Sequence, residues 1–167
     1  MSIISINGFG DNDLLQKFVK EWNDSEKTSQ KKKDIYIDSV GGNISVFYTI
    51  QNMIESCPEK CTLTAIGEIH SSAFELFFSV KCERKILPFT FGMYHFGFDE
   101  ITIDEKGKAK EEYGRARLNN LKLMHTYTLS FCKKVGMNDA EIKAIKSGKD
   151  VYFQYNRLKS FLKNTSK

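Results

Sequence analysis

An α/β fold built on a mainly parallel sheet is what the chain predicts, and three observations predict it. Apolar stretches with strand and helix periods alternate through roughly the first hundred residues, as strand–helix–strand–helix–strand. Two of the strand-to-helix junctions, "DSVGG" and "GEIHSS", carry glycine and serine, the residues that tight turns and helix starts favour. The 167 residues, 41% hydrophobic and 28% charged, suffice for one real core and are too few for two comfortable ones.

The elements follow in order. "SIISING" alternates apolar and polar residues and ends in glycine, as a half-buried strand does. In "DNDLLQKFVKEWND", Leu14, Phe18 and Trp22 share a helical face with Leu15 and Val19 beside them, and Asp11 or Asn12 can cap it. Asp24 to Lys33 is predicted as a surface loop. "DIYID" is a compact strand running into the Gly41-Gly42 turn, after which Ile44, Phe47, Ile50 and Ile54 return to helical spacing. "CTLTAIG" is a third strand. "SSAFELFFSV" is a short helix apolar nearly all round, hence buried. "ERKILP" and "FGMYHF" read as two more strands, parted by a turn at Pro88. Beyond them, "EITIDEKGKAKEE" is predicted as a β-ribbon turning at Lys106-Gly107. A long helix from Arg115 to Val135 carries Leu121, Met124, Thr128, Phe131 and Val135 along one side, a stripe suited to another subunit as well as to its own core. Gly136 ends it. A short helix from Asp139 to Ile145, the turn "SGKDVYF" and a lysine-rich terminal helix complete the chain.

Composition removes several function classes. A net charge of +4 is mild, and the lysines are scattered apart from an exposed run at Lys31-Lys32-Lys33 and a basic C-terminal end, which argues against a nucleic-acid partner. Cys57, Cys61, Cys82 and Cys132 match neither a paired CxxC nor a zinc pattern, so no metal is expected. With no signal region and no membrane-length apolar run, the expectation is reduced thiols in a cytoplasmic protein without a membrane partner.

Candidate chemistry gathers at the junctions. A Gly-Gly turn between strand and helix presents backbone N–H groups that can hold an anion or a transient oxyanion, or it simply makes the turn. Ser71 opens the next helix in the same manner. It is either a helix cap or a nucleophile in the field of the helix dipole, with the Ser72 amide as a second donor, and Ser72 is equally eligible as the cap. His95 closes an apolar strand and needs a partner to act as a base, and His70 is its rival. Asp150 follows a turn and precedes aromatics, where a carboxylate can orient an imidazole; Asp139 and Asp99 are alternatives.

These elements, taken in order, resemble the Clp peptidase (ClpP) family, serine peptidases of the crotonase-like fold. "DIYIDSVGG" is similar to that family's "lyINSPGG", and "GEIHSSAFELFF" to its "GxAASMAAxLL". "RKILPFTFGMYHF" is similar to "RxxLPNSRxMIHQP", and "GKDVYF" to "RDxFM". Val40 replaces the motif's proline, Ile69-His70 the small pair before the serine, and Phe96 the glutamine after the histidine. The resemblance implies a triad of Ser71, His95 and Asp150 with an oxyanion hole from Gly41, Gly42 and Ser72. It implies no cofactor, and extended peptide adding as a strand between the Gly42 loop and the ribbon at Ile101 and Ile103. It further implies one domain over 1–167, divided into a head core (1–98), a ribbon and protruding handle helix (99–137) and a return to the head (138–167). The implied assembly is a six- or seven-fold homo-oligomeric ring, single or double, acting on peptide or unfolded protein. Because the first strand begins at the start of this sequence, an N-terminal loop segment for engaging an AAA+ unfoldase is not expected, and that partner stays open. A catalytically inactive scaffold of the same fold, an acyl-CoA enzyme of the crotonase superfamily and a Ser-Lys peptidase are the other readings.

Overall fold

The computed structural model describes residues 2–27, 32–97 and 112–166. Six strands and six helices are assigned among them: β1 (Ser2–Gly10), α1 (Asn12–Glu26), β2 (Lys33–Gly42), α2 (Ile44–Glu55), β3 (Cys61–His70), α3 (Ser71–Ser79), β4 (Glu83–Ile86), β5 (Phe91–Tyr94), α4 (Glu112–Val135), α5 (Asp139–Lys146), β6 (Val151–Phe153) and α6 (Tyr155–Thr165). A 3₁₀ turn at Pro58–Lys60 leads into β3. The expected β-ribbon, with Ile101, Ile103 and Asp99, lies outside the described residues.

The sheet runs β1-β2-β3-β5-β6, and β4 pairs with the first half of β3. β1, β2, β3, β4 and β5 pair parallel; β5 and β6 pair antiparallel. The parallel part follows the expectation, because each crossover is occupied by a helix that needs the length. β6 is a correction: the sequence predicts a turn over "SGKDVYF", yet Val151–Phe153 hydrogen-bonds to β5 in the register Tyr94↔Val151, Met93↔Tyr152 and Gly92↔Phe153.

α3 is the buried helix that the sequence predicts. Every residue from Ser72 to Phe78 is buried. Phe74 stands at the centre, with its ring within 4.7–6.2 Å of Phe78, Tyr94, Phe131, Phe153 and Phe161. Burying one such ring contributes about 1.5–3 kcal/mol. β5 lies close against this cluster at Gly92, where a Cβ would meet Leu158 at 2.9 Å and Phe74 at 3.0 Å. Helix starts are fixed by short polar caps: Asp11 accepts from the Leu14 amide at 3.0 Å, and Asn138 and Glu141 form a reciprocal capping box.

Two further expectations are revised. α1 continues to Glu26, and Lys33, placed in an exposed run, is only 2% exposed. Its ammonium reaches Glu26 and lies 4.8 Å from the centroid of the Trp22 ring, so stem and charge are both accommodated. Of the α4 stripe, Thr128, Phe131 and Val135 are buried against the head of their own chain; off the stripe, Leu123 is 69% exposed, and Tyr127 is partly exposed with its hydroxyl toward Ser79. The side chain of Leu121 lies outside the described residues.

Candidate active site

One edge of the sheet collects every chemical group of interest, and strand direction explains why. β2, β3 and β5 run parallel, so their C-terminal ends, at Gly42, His70 and Tyr94, emerge on the same side. In open α/β sheets that side is where ligands bind. β6 runs the opposite way, so the residue before it, Asp150, emerges there too, beside the residue after β5, His95. The antiparallel turn of the last strand therefore brings a carboxylate to a parallel-strand edge.

Ser71 Oγ lies 2.7 Å from His95 Nε2, and His95 Nδ1 lies 3.0 Å from Asp150 Oδ1. The imidazole is largely covered, with 21% of its side chain exposed, and the carboxylate is about half open at 47%. Asp139, an alternative for the acid, sits in the first turn of α5 as an exposed residue, and the structure gives it no place in this line. His70, the alternative base, points elsewhere. It packs 5.3 Å from Phe91 and 6.2 Å from Tyr152, centroid to centroid, with Nδ1 3.3 Å from Glu68 Oε2.

The two serines separate in role. Neither caps α3: the cap position is His70, which makes no side-chain capping bond. Ser71 itself holds φ 53°, in the left-handed region that a non-glycine residue enters only at a cost of about 1–3 kcal/mol. That turn directs its hydroxyl out of the helix line toward His95. Ser72 Oγ accepts from the Gly42 amide at 3.0 Å and donates to the Gly42 carbonyl at 3.1 Å, fastening the glycine loop to α3. Its own amide belongs to the first helical turn, where N–H groups have no intrahelical acceptor.

The Gly41-Gly42 loop is correspondingly close. A Cβ on Gly41 would lie 2.6 Å from the His70 carbonyl oxygen, 2.9 Å from Ser71 Cβ and 3.2 Å from the Ser72 nitrogen, at a φ of +86°. Only glycine fits. The amide assignments narrow as a result. Gly42, expected as an oxyanion donor, has its N–H occupied by Ser72 Oγ. Gly41 N–H donates over 3.2 Å to Ser39 Oγ, whose hydroxyl donates to the Gly8 carbonyl, so an arriving oxyanion competes with that hydroxyl for the Gly41 amide.

Three contacts that sequence reasoning missed support the site. Asp38 Oδ1 accepts from the Glu68 amide at 2.9 Å and fills the space that a Cβ on Gly67 would take, holding the irregular stretch of β3 just before the serines. Phe96 stacks on His125 of α4 at 4.5 Å between centroids, so His125 is packed against the segment that carries His95. Glu75, 5% exposed, accepts from the Tyr94 hydroxyl at 2.7 Å and the Tyr48 hydroxyl at 3.2 Å. Burial pushes its carboxyl up from the ordinary glutamate value, and those two hydrogen bonds oppose the rise. A single Glu inside the apolar run "AFELFF" was the signal available for it.

A hydroxyl, an imidazole and a carboxylate in line at the C-terminal edge of a parallel sheet, next to a glycine turn and a helix start, form the constellation that serine hydrolases share on several unrelated folds. Here the fold is of the ClpP, crotonase-like kind. The Clp protease family model matches residues 2–127 of the 167, and the chain belongs to that family. It is 34% identical over 97 residues to the ATP-dependent Clp protease proteolytic subunit 2 of Borreliella burgdorferi, a match covering 52% of this chain and 46% of that protein. The chain thus matches about half the length of this curated relative. A ClpP1 mutant from Listeria monocytogenes superposes with a TM-score of 0.73 at 18% identity, covering 96% of this chain and 86% of the other, a likeness of fold. Among the described residues, no helix is long and apolar enough to cross a membrane.

Proposed function

We propose that the protein is a ClpP-like serine endopeptidase that cleaves peptide bonds with Ser71, His95 and Asp150. The observation that carries this reading is the pair of contacts on one imidazole, 2.7 Å to the serine hydroxyl and 3.0 Å to the carboxylate. Ser71 Oγ attacks the peptide carbonyl while His95 Nε2 accepts its proton, then returns it to the leaving amine. Asp150 holds the imidazole with Nδ1 protonated and stabilises the cation that forms. The amides of Ser72 and Gly41 face the developing oxyanion, and one such donor is worth about 2.7–4 kcal/mol in an acyl-transfer site.

Substrate would enter extended, pairing with the chain beyond Gly42 and with the segment of Ile101 and Ile103. By analogy with the family, the working form is a homo-oligomeric ring of six or seven copies. The name of the Borreliella relative, the proteolytic subunit of an ATP-dependent protease, extends to this chain as the proposal that a separate ATPase supplies its substrates.

A fluorophosphonate probe and a fluorogenic peptide test the assignment together. Wild-type protein is expected to label on Ser71 and to turn the peptide over, and Ser71→Ala to do neither. Unchanged turnover in Ser71→Ala would remove Ser71 as the nucleophile, and neither labelling nor turnover by wild type in its assembled form would replace the peptidase by the inactive scaffold.

A further inference from the structure

Glu75 lies one helical turn beyond Ser71 in α3, and Tyr94 is the residue immediately before His95. The Ser71–His95 contact therefore has a second contact beneath it, between the same two elements. Tyr94 donates to Glu75 Oε2 at 2.7 Å, and both side chains are buried, at 2% and 5% exposure. Tyr94 is itself held on three sides. Its ring lies 5.3 Å from Phe74 and 5.2 Å from Phe131, and its backbone pairs with Val151, next to Asp150.

Glu75 is the one charged residue in a helix whose other residues from Phe74 to Phe78 are buried and apolar. The carboxyl itself faces the hydroxyl ends of Tyr94 and Tyr48, with Tyr127 also close. An apolar pair at the positions of Glu75 and Tyr94 would fill this space without the desolvation penalty that a carboxyl carries there. A polar group kept under these conditions has a partner to hold, and the shorter of its two bonds goes to the residue that bears His95.

We infer that Glu75 is a positioning residue for the Ser71–His95 pair, acting through Tyr94. Packing of Phe74 against Gly92 and Tyr94 seats α3 on β5 but is not directional, and the Ser71–His95 bond is a single directional tie at the sheet edge. A second directional tie one turn deeper fixes the hydroxyl within reach of the imidazole. The Tyr48 contact at 3.2 Å extends the brace to α2, the helix that follows the glycine loop.

The inference rests on the peptidase reading for its consequence on rate, and on geometry alone for its consequence on structure, so the two can fail separately. In the assembled protein, Glu75→Leu and Tyr94→Phe are expected to lower kcat by about 10- to 100-fold, the scale of a misplacement near 1 Å, with KM little changed. Glu75→Leu takes this acceptor from the buried Tyr94 hydroxyl and should melt lower than wild type, so its rate is compared with that of Glu75→Leu/Tyr94→Phe, which removes both partners; Glu75→Gln, which still accepts from Tyr94, should restore most of the rate. Crystal structures should show the Ser71 Oγ to His95 Nε2 distance opened beyond about 3.5 Å in Glu75→Leu and kept in Glu75→Gln. A Glu75→Leu protein that keeps both that distance and kcat overturns the brace while leaving the peptidase in place. If wild type neither labels on Ser71 nor turns the peptide over, the peptidase reading fails instead, and the crystallographic distance still decides the brace.

Discussion

His70 stands one residue before the proposed nucleophile, with 11% of its side chain exposed and its Nε2 buried with no hydrogen-bond partner. Burial lowers its pKa from 6.5. Glu68, Asp150 and Asp38 pull the other way, and His95 adds to the lowering. In the folded chain the imidazole therefore resists protonation, whereas in the unfolded chain it accepts a proton near its ordinary value. Below that value the unfolded state binds more protons, so stability rises with pH through the window and is lost as pH falls through the folded pKa. His70→Phe should flatten this part of the profile, read as the free energy of urea unfolding between about pH 5 and pH 7. An unchanged slope would show that His70 does not titrate with folding. The neighbouring position teaches about legibility. "HSS" at a helix start reads equally well as a cap or as chemistry, because both need a small hydroxyl residue there. What separates them is the φ of Ser71 and the partner of Ser72, and both depend on a glycine loop 30 residues earlier in the chain.

At the scale of elements, the strand-to-helix junctions matter most. The glycine loop and the start of α3 are built against each other, with Gly41 leaving no room for a side chain and Ser72 fastening Gly42 through both its N–H and its C=O. Gly41→Ala should cost about 1–3 kcal/mol of stability from its φ alone. It should also displace an oxyanion donor and lower kcat by about 10²–10³-fold. A variant with wild-type kcat would remove Gly41 from the site. Periodicity makes α1 and α2 legible through their regular apolar faces, and α3 is legible as a run that is apolar nearly all round behind a serine pair. β6 was not legible. Three residues are too short to show a period, and its strand character comes from pairing with β5. The sequence predicts an exposed Lys33 because charge usually is exposed. Trp22 and Glu26 bury it from the preceding helix, a relation that no local pattern carries. Glu75 is not legible as a functional group, because a helix apolar nearly all round hides one exception.

For the molecule as a whole, the question is which surface is left for other copies. The lower part of the α4 stripe is used internally, since Thr128, Phe131 and Val135 complete the core of their own chain. Leu123, on the outward side of the same helix, remains for the proposed assembly contact, and so do Ile3 and Phe9 on the edge strand β1 at 64% and 61% exposure. Light scattering is expected to give a mass of six or seven times 19.2 kDa, or twice that, at micromolar concentration. Leu123→Glu is expected to shift the distribution to smaller species. A monomer in both proteins would remove the ring from the proposal.

The backbone of Ser71 bears on how such a site persists. A left-handed serine at a helix start is uphill for the fold, and glycine or asparagine would relieve it. Were the hydroxyl idle, substitutions there would be rewarded by greater stability and met by no penalty, so drift would run away from serine. Activity is the force that can hold the position against that gradient. Here a torsion angle records, in thermodynamic form, which way selection has to push.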